Sequence, residues 1–320
     1  MPSPRHGSPQ ARWFREAIAL GNQLHFRKQS AWRHNSVNVA LALCLVGLTA
    51  CALGLGSRLP TLAYVLVGGA SLGSCFFALI ILVVHEASHG MFVVSRHRAR
   101  ARFWNRAAGW LVSVPFSINY LRHWEEGHLV HHEQPMEPGD PQTENICTGR
   151  ALVSMVLRML LIPGYVFLWN PSRKYRTQRW LPFASGLFWL LLVTACVRSC
   201  GWASAGSLLF GLQVLGALNQ VKGALEHGGD IAREPNRNLR SRTSLFPLRW
   251  LLMPFNISLH FEHHLNQCVP WYALLRYHQA LRKVVPQAVQ AELFNDGIVE
   301  QLMGRRGGLS PLARQQATEA

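Results

Sequence analysis

Histidines grouped in three short clusters are the residues of this chain most able to do chemistry. Of 15 histidines, eight lie in HEASH from His85, HLVHH from His128 and HFEHH from His260. Residues three or four positions apart share one face of a helix, so each cluster is expected to aim two or three imidazoles at one point. Imidazole is a good ligand for iron, zinc and copper. The spacing therefore predicts metal binding.

The repetition of the H-x-x-H-H motif is far from what chance would produce. At a frequency of 15 in 320, a given window of this form arises with a probability of roughly 10⁻⁴, or about 0.03 times per chain. A single histidine is usually a surface or hydrogen-bonded core residue, but three clusters together favour one shared site. A further histidine, His227, directly follows another apolar segment. The candidate metal ligands are His85, His89, His128, His131, His132, His227, His260, His263 and His264.

The ligand set also narrows the choice of metal. Nine imidazoles are more than one octahedral ion can bind, so the count predicts two ions. No cysteine accompanies the clusters, which disfavours structural zinc and iron–sulfur sites. An all-imidazole pair suits redox iron, and an open coordination position suits O₂ activation. Haem binding needs far fewer histidines, and a proton pump would place its ionisable groups within the membrane spans.

Carboxylates near the clusters are expected to orient the histidine ligands, and several other histidines are expected to take no part in the site. Carboxylates beside a site commonly accept hydrogen bonds from the ring N–H groups of histidine ligands. The candidates for this role are Glu86, Asp140, Glu226, Asp230 and Glu262. Five of the remaining histidines are expected to be solvated or to lie at the membrane interface: His6, His25, His34, His97 and His123.

Long apolar segments predict how these clusters are positioned. Hydrophobic residues make up 49% of the chain and charged residues 15%, against about 25% charged in ordinary soluble domains. Segments long enough to cross a bilayer as helices are 37–56, 61–84, 181–197 and 203–221. His85 and His227 come just after the second and fourth of these spans. Four spans place both termini on the same side of the membrane.

Charge indicates which side that is. Arginines follow the second span directly, at Arg96, Arg98, Arg100, Arg102 and Arg106, and such residues accumulate on the cytoplasmic side. The termini and the metal site are therefore expected to be cytoplasmic. The net charge is +16. Because the basic residues flank the apolar segments instead of forming one patch, they predict contact with the membrane surface rather than nucleic-acid binding.

Two further apolar stretches are not expected to cross the membrane. Ala107–Ile118 is too short and predicts an interfacial or re-entrant segment. Ala151–Trp169 contains Arg158 and Pro163, and a central arginine disfavours insertion. The predicted organisation is a basic interfacial segment over 1–36, one membrane domain over 37–303 and a disordered tail over 304–320. The seven scattered cysteines argue against a disulfide framework.

The order of the motifs closely resembles the membrane fatty acid desaturase family. The motifs on which this resemblance rests are HEASHG, HLVHH followed by Asp140-Pro141, EHGG, and HFEHHL followed by Val269-Pro270 and His278. This resemblance implies an all-α fold with a four-span stem and a cytosolic helical cap that holds two irons. It also implies that the nine candidate histidines are the iron ligands. Asn256, four residues before His260, is then a candidate for orienting the site or binding through water.

The resemblance implies a chemistry more firmly than a substrate. It predicts an O₂-dependent enzyme with two Fe²⁺ ions that acts on a membrane lipid or an acyl thioester. The third motif begins with His260, whereas desaturases that carry a fused cytochrome usually begin it with glutamine. No such cytochrome domain is visible in the sequence, so a separate ferredoxin-like or cytochrome-like electron donor is expected. Aromatic candidates for an acyl tunnel, or equally for ordinary packing, are Trp110, Phe116, Trp124, Trp169, Trp189 and Phe255.

Other functions stay open at this point. The leading expectation is a fatty acyl desaturase that introduces a C=C bond. The same motifs occur in hydroxylases and carotenoid ketolases, so oxidation of a lipid, a carotenoid or a lipid-like natural product to an alcohol or ketone is the first alternative. A non-enzymatic membrane protein that only binds metal is the second. The oligomeric state is not predicted.

Overall fold

The structure, a computed structural model, describes residues 12–55, 58–143, 146–168, 178–304 and 315. The described residues are mostly helical and include only two strands of two residues each, which confirms the predicted all-α class. The longer early helices are α1 (Arg12–Gln23), α2 (Ala31–Gly54), α3 (Thr61–Ser88), α4 (Arg98–Ser113) and α5 (Gly127–Glu133). They are followed by α6 (Gly149–Leu161), α7 (Tyr165–Leu168), α8 (Trp180–Cys200), α9 (Trp202–His227), α10 (Arg249–Leu252), α11 (His260–Leu265), α12 (Leu274–Leu281), α13 (Gln287–Leu293) and α14 (Ile298–Leu302). Strands β1 (Thr243–Ser244) and β2 (Phe294–Asn295) form a short parallel pair.

Four of these helices, α2, α3, α8 and α9, are long and apolar enough to cross a membrane, as predicted. Local sequence sets their ends. Ser30 caps α2, because its side chain accepts a hydrogen bond from the Arg33 N–H. Pro60 precedes α3, and Gly201 joins α8 to α9 at a φ of 82°, a conformation that favours glycine. The helices overlap all four predicted spans; α3, α8 and α9 extend beyond theirs, whereas α2 begins before its predicted span and ends at Gly54.

Helices α3 and α9 form the centre of the membrane stem, and α2 and α8 lie outside them. Most side chains of α3 and α9 are buried, whereas most of those of α2 and α8 are exposed. The central pair packs closely through glycines: a Cβ added at Gly73 would lie 2.5 Å from the carbonyl oxygen of Gly211. Small residues allow such backbone approach in membranes. Any larger residue at Gly73 would therefore push the two central helices apart.

The apolar stretch 107–118 is the second half of α4 and the 3₁₀ turn that follows. The carbonyl oxygen of Pro115 accepts hydrogen bonds from Ser185 Oγ and Trp189 Nε1 of α8, both at 2.6 Å. This end of α4 is thus anchored beside a membrane helix rather than crossing the membrane. Helix α6 likewise is not among the membrane-length helices and packs on α9, where Gln213 Nε2 donates to the Met159 carbonyl at 3.1 Å.

The remaining helices form a cap beside the stem. The apolar face of α1 is covered by α12, with Trp13, Phe14 and Ala17 buried in the same cluster as Tyr277. The Tyr277 hydroxyl donates to the Ala17 carbonyl oxygen at 2.8 Å. The aromatic face of α1 therefore contributes to the protein core. Most of the predicted tail 304–320, and residues 1–11, lie outside the described residues.

The expectation that His34 is solvated or interfacial was wrong. Its side chain is 1% exposed and lies between α2 and the loop after α3. Its Nε2 atom is 2.5 Å from the Met91 carbonyl oxygen, and its Nδ1 atom is 2.9 Å from the Tyr272 hydroxyl. The neighbouring Asn38 Nδ2 donates to the Phe92 carbonyl at 3.0 Å. His34 is therefore part of a buried polar network that fastens the first membrane helix to the cap, which its isolated position in the sequence does not reveal.

Candidate metal centre

All nine predicted histidines lie together, in two groups. In each group the candidate ligand atoms lie within 4.8 Å of one another. The first group contains His85, His89, His128, His132 and His263, and the second contains His131, His227, His260 and His264. Neither group includes a carboxylate or a cysteine of the described residues. The groups touch, since the rings of His132 and His264 stack with their centroids 4.3 Å apart.

Two of the three histidine clusters contribute ligands to both groups. This differs from the expectation that the histidines of each cluster converge on one point. His131 and His132 are neighbours on α5 but belong to different groups, as do His263 and His264 on α11. Successive residues of an α-helix point about 100° apart. Helices α5 and α11 therefore lie between the two groups: α5 presents two imidazoles to the first group and one to the second, and α11 presents one to the first and two to the second.

Helix ends and π-helical turns bring the ligands to this place. His85 ends a π-helical turn, Ile80–His85, at the end of α3, and a second such turn, Tyr120–Glu126, leads directly into α5. A π-turn shifts the face that later residues present and is frequent at functional sites. His227 is the last residue of α9. The helix continues six residues past the predicted end of the fourth span, which carries this histidine to the second group.

Distances between ring nitrogens match those of neighbouring ligands on one ion. The Nε2 atoms of His85 and His263 are 3.0 Å apart, and those of His227 and His260 are 2.9 Å apart. Two imidazole nitrogens at right angles about an ion, each about 2.1 Å from it, would be separated by about 3.0 Å. His264 and His260 show the same 3.0 Å spacing. The residues therefore fit two metal ions bound through Nε2 atoms.

The protonation states also fit metal binding. Burial lowers the pKa of His89 to about 3 and that of His263 well below its ordinary value. The same direction and main cause apply to His128, His132, His260 and His264. These imidazoles are therefore neutral near pH 7, and a neutral ring has a lone pair for a metal. Burial thus prepares these six imidazoles as ligands.

His131 shows how the correct tautomer is selected. Its Nδ1 atom is 2.8 Å from Oδ2 of the buried Asp140, so the ring proton is placed there. Its Nε2 atom is buried and has no hydrogen-bond partner among the described residues, which is the state of a nitrogen reserved for a metal. Although burial opposes it, hydrogen bonds from His131 and from backbone N–H groups lower the pKa of Asp140. Asp140 is therefore a carboxylate, as predicted.

Other Nδ1 atoms have partners of different kinds. The His227 Nδ1 atom is 2.6 Å from the carbonyl oxygen of Arg240, and that of His128 is 3.1 Å from the Gln142 amide. Neither partner was predicted. A backbone carbonyl leaves no side-chain signal in a sequence, although Gln142 stands next to the Asp140-Pro141 pair that the family motif includes.

The predicted carboxylates differ in where they lie. Glu86 Oε1 is 3.3 Å from His85 Nδ1, and Glu226 Oε1 is 3.2 Å from His260 Nδ1, both without hydrogen-bond geometry. The other oxygen of Glu226 is 2.5 Å from Lys222 Nζ. Glu262 instead contacts a histidine outside both groups, with its Oε1 atom 2.6 Å from His278 Nδ1.

Two candidates do not contact either group. Asp230 is largely exposed, with an oxygen 3.8 Å from Arg233 Nη1. Asn256 has a φ of 56°, and its Nδ2 atom donates to the Trp271 carbonyl oxygen at 3.1 Å. The amide of Asn256 thus holds the loop before α11 against the chain after it. Any influence on the histidines passes through that loop.

A cavity of about 200 Å³ reaches the first histidine group from within the stem. His85 and His128 line part of it, and most of the remaining lining is apolar, with side chains such as Phe77 and Leu212. Polar side chains in the wall include His123, Asn219 and Lys222. Of the predicted tunnel aromatics, Phe116 and Trp124 line this cavity. Trp110, Trp189 and Phe255 are not part of its lining, and Trp169 lies outside the described residues.

A second, wider cleft of about 910 Å³ reaches the same group from the other side. His89 lies in its wall, which carries arginines from α4, from the chain just before α4 and from the turn between α1 and α2. These are Arg27, Arg96, Arg98, Arg102 and Arg106. Glu125 also lines the cleft and forms an ion pair with Arg106. The first histidine group is therefore reached by an apolar cavity and by a basic cleft.

Comparison with known protein families agrees with this architecture. The family model described as fatty acid desaturase matches residues 59–293, which is well over half of the chain and includes every histidine of both groups. This chain belongs to the fatty acid desaturase family. A search of curated proteins found no match. As a member of this family, the protein is a membrane-bound, desaturase-like lipid oxidoreductase whose histidine groups can hold metal.

Proposed function

We propose that this desaturase-family protein is an O₂-dependent fatty acyl desaturase with a two-iron centre. The main support for this proposal is that two all-histidine groups contact each other at the end of a mainly apolar cavity. The first group would hold one iron and the second group the other. An apolar cavity suits a hydrocarbon chain, and neutral, desolvated imidazoles suit redox iron.

The residues of the chain position the ions, the substrate and the protons. When bound, the iron pair supplies the oxidising power that removes hydrogen from an unactivated C–H bond. Asp140 keeps the His131 proton on Nδ1, and the Arg240 carbonyl does the same for His227. Val84 and Ile81 line the cavity just before His85; they exclude water and hold a chain beside the first group. Such positioning accounts for a large part of catalysis in enzymes.

The same geometry could serve a hydroxylase or a ketolase. Removal of hydrogen from two adjacent carbons forms a double bond, whereas oxygen transfer to one carbon forms an alcohol. The outcome depends on how the substrate carbon sits beside His85 and His128. We propose desaturation as the reaction, and product analysis distinguishes it from the alternatives.

We also propose a separate, acidic electron donor and a cytoplasmic site. The arginine-rich cleft beside His89 carries positive charge next to the first histidine group. Complementary charge steers partner proteins together and fixes their orientation. A ferredoxin-like or cytochrome-like donor with an acidic face fits this cleft. The arginines that directly follow α3 favour the cytoplasmic side for this face of the protein.

Expression in a host of defined lipid composition tests the proposal. We expect new unsaturated acyl chains by gas chromatography with mass spectrometry, and two iron ions per purified chain. His263→Ala should abolish the products, whereas His97→Ala, at an exposed histidine outside both groups, should not. Exclusively hydroxylated or ketonic products would contradict desaturation, and protein that binds zinc alone would contradict the oxidative function.

A further inference from the structure

The apolar cavity has a polar pair in its wall that the metal centre does not use. Ser113, at the end of α4, and Gln220, on α9, both line the cavity. Their side chains are 1% and 3% exposed. Ser113 Oγ and Gln220 Oε1 have no hydrogen-bond partner among the described residues. The wall is mainly apolar, and other polar side chains in it are paired, Gln142 with His128 and Lys222 with Glu226.

The pair lies at a distance from the histidines. Gln220 precedes His227 by seven residues on α9, or about 10.5 Å along the helix. Ser113 is two residues before Pro115, whose carbonyl binds α8, and the ring of Phe116 lies 6.3 Å from that of Phe76. Phe76 precedes His85 by nine residues of α3. Gln220 therefore lies within the fourth predicted span, two turns before His227, and Ser113 lies beside the part of the chain that contacts α8 and Phe76.

A second buried glutamine on α9 differs from Gln220, because its side chain has hydrogen-bond partners. Gln213, two turns earlier on α9, is also buried, but its Nε2 atom donates to the carbonyl oxygens of Met159 and Leu160. Gln213 thus holds α6 to α9. Among the described residues, no hydrogen bond from Gln220 joins α9 to another helix in this way. Buried polar groups in proteins are nearly always paired, and those within membrane helices commonly mark function.

We propose that the substrate carries a hydroxyl group part-way along its apolar chain and that Ser113 and Gln220 bind it. A hydroxyl is both a donor and an acceptor, so it can donate to Gln220 Oε1 and can accept from the Ser113 Oγ–H. An unsubstituted acyl chain can pair neither. This inference rests on the proposed function and narrows its substrate class to hydroxylated lipids.

Binding of matched fatty acids to the iron-loaded, detergent-solubilised protein tests this assignment. The probes are stearate and hydroxystearates with the hydroxyl near the middle of the chain, measured by calorimetry. We expect the best hydroxystearate to bind about tenfold more tightly than stearate. Gln220→Leu and Ser113→Ala should each reduce this preference, and the double variant should remove it. Ile81→Val alters an apolar part of the same cavity and should change the affinity for both probes alike.

Equal binding of stearate and every hydroxystearate, unchanged in the variants, would overturn the inference and leave water as the partner of the two polar atoms. Because this measurement reads affinity rather than turnover, its failure is separate from a failure of the proposed function. A protein that desaturates stearate but shows no preference refutes only the hydroxyl contact. A protein that shows the preference but oxidises neither probe refutes only the desaturase activity.

Discussion

Asp140→Asn offers a sharp test of how the second histidine group is prepared for metal. Three donors converge on the carboxylate: His131 Nδ1 and the Met136 N–H lie 2.8 Å from Oδ2, and the Gln142 N–H lies 2.8 Å from Oδ1. An asparagine has nearly the same shape but only one acceptor oxygen. In either orientation of the amide, its NH₂ group faces at least one of these donors.

The magnitude follows from the unpaired donor and from the tautomer. A buried N–H group that loses its acceptor costs about 1–3 kcal/mol, and Asp140 is 3% exposed. If the NH₂ group faces His131, the ring must accept at Nδ1 and carry its proton on Nε2, where it cannot bind a metal. Loss of such a supporting contact typically weakens metal affinity by about 10–100-fold. We therefore expect the second group to lose iron preferentially.

The assay is iron content after dialysis against a graded series of chelator concentrations, with thermal unfolding of the metal-free protein measured alongside. The variant should lose one iron per chain at a chelator concentration that leaves the wild type fully loaded. Asp230→Asn is the matched control, because Asp230 is exposed and contacts neither histidine group. Retention of both irons with wild-type affinity would refute the argument from the His131 tautomer.

Three further predictions follow from other parts of the structure. His263→Ala removes a ligand of the first group and should abolish turnover and lower iron per chain; full activity would contradict the assignment. Arg102→Gln, in the basic cleft, should raise the KM for an acidic donor several-fold at low salt, with a smaller effect at high salt, whereas Arg198→Gln should leave it unchanged. His34→Ala should lower the thermal midpoint in detergent, because buried partners lose their hydrogen bonds; an unchanged midpoint would show that the network contributes no stability.

Local patterns were enough to predict the membrane helices and the identity of the histidines. Segments such as Val37–Gly56 are apolar over the thickness of a bilayer, and that property needs no knowledge of neighbours. The clusters at His128 and His260 stand out because imidazoles at helical spacing rarely recur by chance. Both signals lie within short windows of sequence, so both are visible before folding.

Several features depend on contacts between distant segments and could not be predicted. His34 lacks any neighbouring motif, and its burial depends on Met91 and Tyr272. The Arg240 carbonyl is a backbone atom, so no residue type indicates that it meets His227. The π-turns before His85 and within Tyr120–Glu126 are likewise set by packing, since ordinary helix-forming residues occupy them.

By itself, the sequence determined which side chains can bind metal and which helices are long and apolar enough to cross a membrane, because residue type and local spacing fix both properties. Only the tertiary structure decided how nine histidines divide into a group of five and a group of four. Adjacent residues on α5 and α11 point in different directions, so each helix serves both groups, and the partition depends on where α3 and α9 place His85 and His227.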